Sequence, residues 1–289
     1  MAQQYTVHQQ TTLLPFLFDT LEGWSKKTIK QRLKNKQILV NNLMQTQHNW
    51  VLHPHDIVQI DISQGRTQQP NKSMTLDIVY QDAHIIAIHK PAGLLSVASH
   101  QESKVHALAL LRTQLSRTHK GMKLWPVHRL DRETSGILLF ATSKDIREAM
   151  MDNWSKTTKM YLAIVEGVPS VKADTITQPL RMDDKLYQMH VGIHKDAKSA
   201  ITHYALKEQK NPSTSRSLLE VSIETGRQHQ IRAHMAWMGN AIVGDERYGK
   251  KGIRMGLHAT QITFIHPLSK KSIDIKVDAP RDFYRLLTS

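Results

Sequence analysis

The 289-residue chain contains no cysteine. That absence excludes a disulfide framework, a thiolate nucleophile and every cysteine-containing zinc site, and it fits a reducing compartment. Long apolar runs are missing too. Those present, such as residues 85–88 and 136–141, fall far short of the ~20 residues that a membrane span needs. The N-terminus, Met1-Ala2-Gln3-Gln4-Tyr5, lacks the basic start and apolar stretch of a secretory signal. The cytoplasm is therefore the expected location. Acidic residues are few: 25 Asp and Glu against 39 Lys and Arg leave a formal net charge of +14. A surplus of that size points to a polyanionic partner, most often nucleic acid, with solubility by net charge as the plainer alternative. A hydrophobic content of 40% with 22% charged residues argues for a folded globular protein rather than a disordered one.

Apolar residues almost vanish over residues 63–73, SQGRTQQPNKS, the composition of an exposed linker. The expected organisation is a small domain at 1–62, the linker, and a large domain at 74–289. No repeat with a period of 20 to 50 residues is visible. In the first domain the patterning predicts helices over residues 13–21 and 25–33, separated by Gly23-Trp24, with Ser25 capping the second. A strand at 38–40, a polar turn at Asn41-Asn42 and an alternating strand at 57–62 follow. In the second domain strands are predicted at 76–80, 85–89, 136–142, 160–166, 217–224 and 273–277. Helices are predicted at 105–117, 144–154 and 228–238. Runs of strands with few helices between them imply an α+β fold on a mixed, mostly antiparallel sheet.

Two polar clusters could carry chemistry. His128-Arg129-Leu130-Asp131-Arg132-Glu133-Thr134-Ser135-Gly136 directly precedes an apolar strand. A carboxylate on a loop that enters a rigid strand is well directed for catalysis; the alternative is a surface loop of mutually paired charges. The second cluster is residues 224–234, where Ile231, Met235 and Met238 recur at helical spacing and Gly239 is a stop. A helix starting just after Gly226 would put Arg227 at its anion-favouring end, a site for a carboxylate or a phosphate. Elsewhere Lys26, Lys27, Lys30, Arg32, Lys34 and Lys36 crowd the second helix with no acid among them, either a solvated face or a polyanion-binding one. Arg247, Lys250, Lys251 and Arg254 form a glycine-containing basic loop open to the same two readings.

The run HRLDRETSGILLFATS resembles the catalytic motif of the RluA-type RNA pseudouridine synthases. Its companions appear in order: His89 to Leu94, Lys159 to Gly167, Lys198 to Thr202, Thr225 to His234 running on to Gly244-Asp245-Glu246-Arg247-Tyr248-Gly249, Leu257-His258-Ala259, and Phe264 to Pro267. The likeness covers roughly residues 74–289, with Met235 where Leu is more usual. The first domain resembles the small S-four-like RNA-binding domain, with Lys36 and Asn42 at positions often held by Gly. The resemblance implies isomerisation of uridine to pseudouridine in structured RNA, large-subunit ribosomal RNA being favoured and transfer RNA the runner-up. It implies Asp131 as catalytic carboxylate, Arg227 as the guanidinium that orients it, and Tyr161 as the tyrosine that takes a late proton or stacks on the uracil. Arg129 would help to hold a flipped-out nucleotide or touch a phosphate. Further RNA contacts are expected from Lys26, Lys27, Lys30, Arg32, Lys34, His229, Arg232, Lys250 and Lys251. No cofactor and no metal are expected, and a monomer is the default.

Other readings are weaker. A glycosidase would need a second carboxylate, and Glu133 is expected to face solvent. His229 and His234 lie about 140° apart around a helix, poor spacing for a shared metal. His53 and His55 flank Pro54 in a turn and need no function. Trp24, Trp50, Trp125, Trp154 and Trp237 are expected mainly in the core, with Trp24 also a candidate RNA contact. A non-catalytic RNA-binding or ribosome-assembly factor remains the alternative of a different class, disfavoured by the joint presence of Asp131, Tyr161 and Arg227.

Overall fold

The computed structural model describes residues 2–34, 37–41, 43–45, 47–61, 75–98, 105–116, 121–184, 186–209 and 216–288. The expected linker, Lys36, Asn42, and the last residues of the strand expected at 57–62 and of the helix expected at 105–117 lie outside the described residues. The chain divides into two compact units, Met1–Ser73 and Met74–Ser289. Among the described residues no helix is long and apolar enough to cross a membrane.

In the first unit the helices Leu13–Thr20 and Lys26–Lys34 pack on a four-stranded antiparallel sheet in the order Ala2–Thr6, Ile57–Asp61, Ile38–Val40, Leu43–Met44. Ser25 Oγ accepts the Thr28 N–H at 3.1 Å and starts the second helix, the capping geometry its sequence position suggests. Asn41 takes a left-handed conformation, φ 51°, which its short amide side chain tolerates. Its Nδ2 donates to Asp56 Oδ1 at 2.8 Å and its Oδ1 accepts the Ile57 N–H at 2.9 Å, locking turn to strand. Leu13, Leu17, Ile29, Leu33, Val58 and Ile60 fill the core. The strand Ala2–Thr6 was not expected, because its sequence, AQQYT, shows no alternation of apolar and polar residues.

The second unit is built on a ten-stranded sheet. Its main path runs Ala173–Ile176, Thr202–Glu208, Arg216–Ile223, Thr158–Glu166, Leu257–Ile265, Ser135–Ala141, Ile85–Lys90, Asp77–Gln81, with Ser272–Lys276 and Trp125–Pro126 pairing off it. Among these described strands the single parallel pairing joins Ser135–Ala141 to Leu257–Ile265, and it is short: Ser135 faces His258 and Gly136 faces Ala259. Gly136 makes this seam possible. Its φ is +118°, and a Cβ there would lie 2.2 Å from the Ala259 carbonyl oxygen, so only a residue without one fits.

Period-two alternation places both faces of the sheet in a core. Ile85, Ala87, Ile137 and Leu139 pack with Ile146 and Met150 of the helix Lys144–Asp152. Ile86, Ile88, Leu138 and Phe140 pack with Leu108, Leu111 and Leu115 of the helix Ala107–Leu115. Burial on both faces explains why these strands read as unbroken apolar runs. On the far half Ile231 and Met235 of the helix Gln230–Trp237 pack against Leu219, Val221 and Leu257. The strands Thr202–Glu208 and Leu257–Ile265 escaped the sequence reading because polar residues interrupt them, THYALKE and LHATQITFI.

Candidate active site

Asp131 sits on the loop that feeds the seam strand, and that loop is held from behind. Ser96 Oγ donates to the Leu130 carbonyl at 2.7 Å and accepts the Leu130 N–H at 3.0 Å. Lys90 is wholly buried, and its Nζ donates to the carbonyls of Pro91 (2.9 Å), Leu94 (2.7 Å) and Arg132 (3.1 Å). The backbone is therefore pinned on both sides of Asp131. His128 does not face the chemistry: its Nε2 accepts the Leu139 N–H at 3.2 Å and its ring lies on Trp154. Burial, aided by the charge of Lys159, lowers its pKa to about 4, so it is neutral.

Arg232, from the helix Gln230–Trp237, meets the carboxylate of Asp131. Its Nη1 donates to Asp131 Oδ2 at 2.8 Å, while its Nε and Nη2 donate to Asp245 Oδ2 (2.7 Å) and Oδ1 (2.8 Å). Hydrogen bonds and the charges of both carboxylates outweigh burial and push the Arg232 pKa up. Asp245 has a fully buried side chain. Burial opposes its ionisation, but the hydrogen bonds and charge of Arg232 and the N–H groups of Arg247 and Tyr248 prevail and lower its pKa.

His229 stands on the other side of Asp131, its Nε2 3.8 Å from Oδ1, beyond hydrogen-bond range. Tyr248 Oη accepts the Met189 N–H at 2.7 Å and is hydrogen-bonded to His229 Nδ1 at 3.1 Å. Burial, opposed by the charge of Asp131, lowers the His229 pKa and so favours the neutral imidazole. The residue adopts a left-handed backbone, φ 50°, strain of the kind that gathers at functional sites.

Tyr161 lines the same cleft, which is open to solvent. Leu130, Ile223, Ile231 and Leu257 give it apolar walls, and Arg129, Asp131, Arg227, His229 and Arg232 its polar ones. Burial, with the charge of Asp131 adding, pushes the Tyr161 phenol pKa well up, so the ring is protonated at neutral pH.

Two sequence expectations are corrected here. The helix begins at Gln230 rather than just after Gly226, because the left-handed His229 turns the chain before it. Arg227 is thus not at the helix end. Its Nε donates to the Ser199 carbonyl at 3.0 Å, and the guanidinium on Asp131 belongs to Arg232, which was expected to contact RNA. Gln230 organises this turn, accepting the Thr225 hydroxyl (2.8 Å) and the Arg227 N–H (3.0 Å) on its Oε1. Nothing in the linear spacing separates the two arginines. Asp245, Tyr248 and Gln230 stood inside the quoted motifs but had no assigned part.

The remaining candidates fall apart in space. His234 is buried, with Nδ1 on Thr202 Oγ1 and Nε2 on the Gln178 carbonyl, both at 2.9 Å. Glu133 is exposed and lies 3.6 Å from Arg132. In the basic loop Arg247 holds the Leu186 and Tyr187 carbonyls, Arg254 pairs with Asp282, Lys251 pairs with Glu246, and Lys250 is exposed. In the first unit Lys26, Lys27, Lys30 and Lys34 are exposed, but Arg32 is buried with its guanidinium 4.4 Å from the Trp24 ring centroid. Trp24, Trp125 and Trp154 are half-buried, whereas Trp50 and Trp237 are exposed, so the core expectation fails for the last two.

Residues 84–237 match the RNA pseudouridylate synthase family. Over 282 residues the chain is 32% identical to YlyB of Bacillus subtilis, an uncharacterized RNA pseudouridine synthase, with 94% of this chain and 91% of that protein covered. It is 34% identical over 227 residues to tRNA pseudouridine synthase C of Pasteurella multocida, covering 70% of this chain and 90% of the relative. It is 30% identical over 257 residues to ribosomal large subunit pseudouridine synthase D of Xanthomonas campestris, covering 81% and 75%. The fold is similar to that of human RNA pseudouridylate synthase domain containing 4, with a TM-score of 0.60 at 24% identity over 73% of this chain and 92% of that one.

Proposed function

Because the chain belongs to the RluA-type RNA pseudouridine synthases and isomerises uridine to pseudouridine in RNA, we propose that Asp131 is the carboxylate that carries the reaction. The isomerisation breaks the bond from ribose C1′ to uracil N1, turns the base and joins C1′ to C5. C5 then loses a proton and N1 gains one, so the composition is unchanged. The step needs one anionic carboxylate at the ribose, to attack C1′ or to remove a neighbouring proton. The observation that carries the reading is the fork of Arg232, which binds Asp131 through Oδ2 while Oδ1 stays beyond hydrogen-bond range of His229 in the cleft.

Tyr161 acts in this reading as a neutral ring. A phenol held protonated is a poor base, and its face is suited to stacking on uracil. Arg129 and Arg227, on the cleft wall, serve the extruded nucleotide and its phosphates. The first unit is an S-four-like RNA-binding domain whose exposed face carries Lys26, Lys30 and Lys34 at four-residue spacing, with Lys27 beside them.

The favoured substrate is large-subunit ribosomal RNA. Residues 74–289 are about three quarters of the chain. The large-subunit relative aligns with 81% of it and so reaches into the first unit, whereas the 70% shared with the transfer RNA relative needs only the second. The enzyme is taken to act as a monomer in the cytoplasm. The test is a nucleotide-resolution pseudouridine map of total RNA from cells carrying the wild-type protein or only Asp131→Ala. Sites in large-subunit ribosomal RNA should vanish in the mutant. Loss confined to transfer RNA would move the substrate, and no loss with a stably expressed mutant would overturn the assignment of Asp131.

A further inference from the structure

We infer that Asp245 is a positioning residue that divides the donors of Arg232, so that one N–H, and only one, reaches Asp131. This deepens the reading of Asp131 above and rests on it. A guanidinium next to two carboxylates tends to bind either one bidentately. Bidentate capture of Asp131 would place an N–H on each of its oxygens and leave neither free to react. The geometry here forbids that. Asp245 takes Nε and Nη2 at 2.7 and 2.8 Å, which turns the planar fork so that Nη1 alone meets Asp131 Oδ2 at 2.8 Å.

Asp245 can impose this orientation because it is itself immobile. Its side chain is fully buried, and its Oδ1 also accepts the N–H of Arg247 at 3.0 Å and that of Tyr248 at 3.3 Å. The same turn delivers the Tyr248 ring, whose centroid lies 5.2 Å from the Arg232 Cζ, and the Tyr248 hydroxyl that orients His229. One short turn therefore sets both neighbours of Asp131. Asp245 touches no reacting atom; it reaches His229 by way of the Tyr248 turn, and the division of donors inferred here is the part that passes through Arg232.

The experiment uses the full-length protein and a transcript carrying a uridine that the Asp131→Ala map identifies. Single-turnover rates are measured at saturating enzyme, together with the half-saturating enzyme concentration. Asp245→Asn should lower the saturated rate roughly 10²-fold, as misplacing a catalytic group does, and leave half-saturation within about threefold. In an Arg232→Lys background, which has no fork to divide, Asp245→Asn should cost little more, whereas a merely structural residue would add its full effect. Asp245→Ser, which keeps an acceptor and leaves room for water, carries the test if the Asn variant does not fold. A saturated rate within threefold of wild type, or additive losses, would overturn the inference while Asp131→Ala stays inactive. Turnover surviving Asp131→Ala would instead overturn the underlying reading.

Discussion

Replacing Lys90 by Met should flatten part of the dependence of stability on pH. Burial lowers the pKa of Lys90 from 10.5 to about 7, with the charges of Glu133 and Asp131 opposing, and the side chain has no exposed surface. Between pH 7 and 10.5 the unfolded chain holds this proton and the folded one does not, so that above pH 7 the buried amine keeps two protons for its three carbonyl partners. Stability therefore rises with pH across that window, by about 1.4 kcal/mol per unit. The whole effect is of order 5 kcal/mol, fully present as a penalty below pH 7 and gone above 10.5. Methionine keeps most of the aliphatic stem and cannot titrate. The stability of wild type minus that of Lys90→Met should thus rise by about 3 kcal/mol from pH 7 to 9, other groups being common to both proteins. Urea unfolding at pH 7, 8 and 9, followed by far-UV circular dichroism, measures it. Three carbonyls around Nζ favour the ammonium form. If they offset burial completely the two curves would run parallel, and parallel curves would refute the reasoning.

Three further outcomes are expected. Gly136→Ala should destabilise the second unit by at least about 3 kcal/mol, combining backbone strain with overpacking. The reason is that the added carbon meets the Ala259 backbone, which no side-chain rotation relieves; an unchanged urea midpoint would contradict this. Alanine at Lys26, Lys27, Lys30 or Lys34 should each reduce the slope of log affinity against log salt by about one, as loss of a phosphate contact does. Arg32→Ala should leave that slope alone and lower the stability of the first unit, since its guanidinium lies on Trp24; equal slopes throughout would remove the RNA-binding role of this helix.

Order along the chain was informative wherever the physics is local. Periodicity placed the helices near Leu13–Thr20, Lys26–Lys34, Ala107–Leu115 and Lys144–Asp152, and the apolar runs placed the seam strand and its neighbour Ile85–Lys90. Failures came where local and distant forces disagree. Leu257–Ile265 pairs with both Thr158–Glu166 and Ser135–Ala141, yet its buried His258, tied to Ser135 Oγ at 2.8 Å, breaks the apolar run that marks a central strand. The left-handed His229 delayed a helix whose start had looked plain from its apolar spacing.

The sequence by itself determined the composition class, the polyanionic partner, the family resemblance and the candidate carboxylate, because motif identity and charge survive in one dimension. Only the tertiary structure decided which arginine faces Asp131. Arg227 and Arg232 are the same residue type, five positions apart in one motif, and local spacing suits either of them. Arg232 prevails because Asp245, thirteen residues further on, is buried where it can turn the guanidinium, and because the chain at His229 directs Arg227 to the Ser199 carbonyl. Direction in space is the property a sequence does not carry, and a site with one free carboxylate oxygen depends on direction more than on composition.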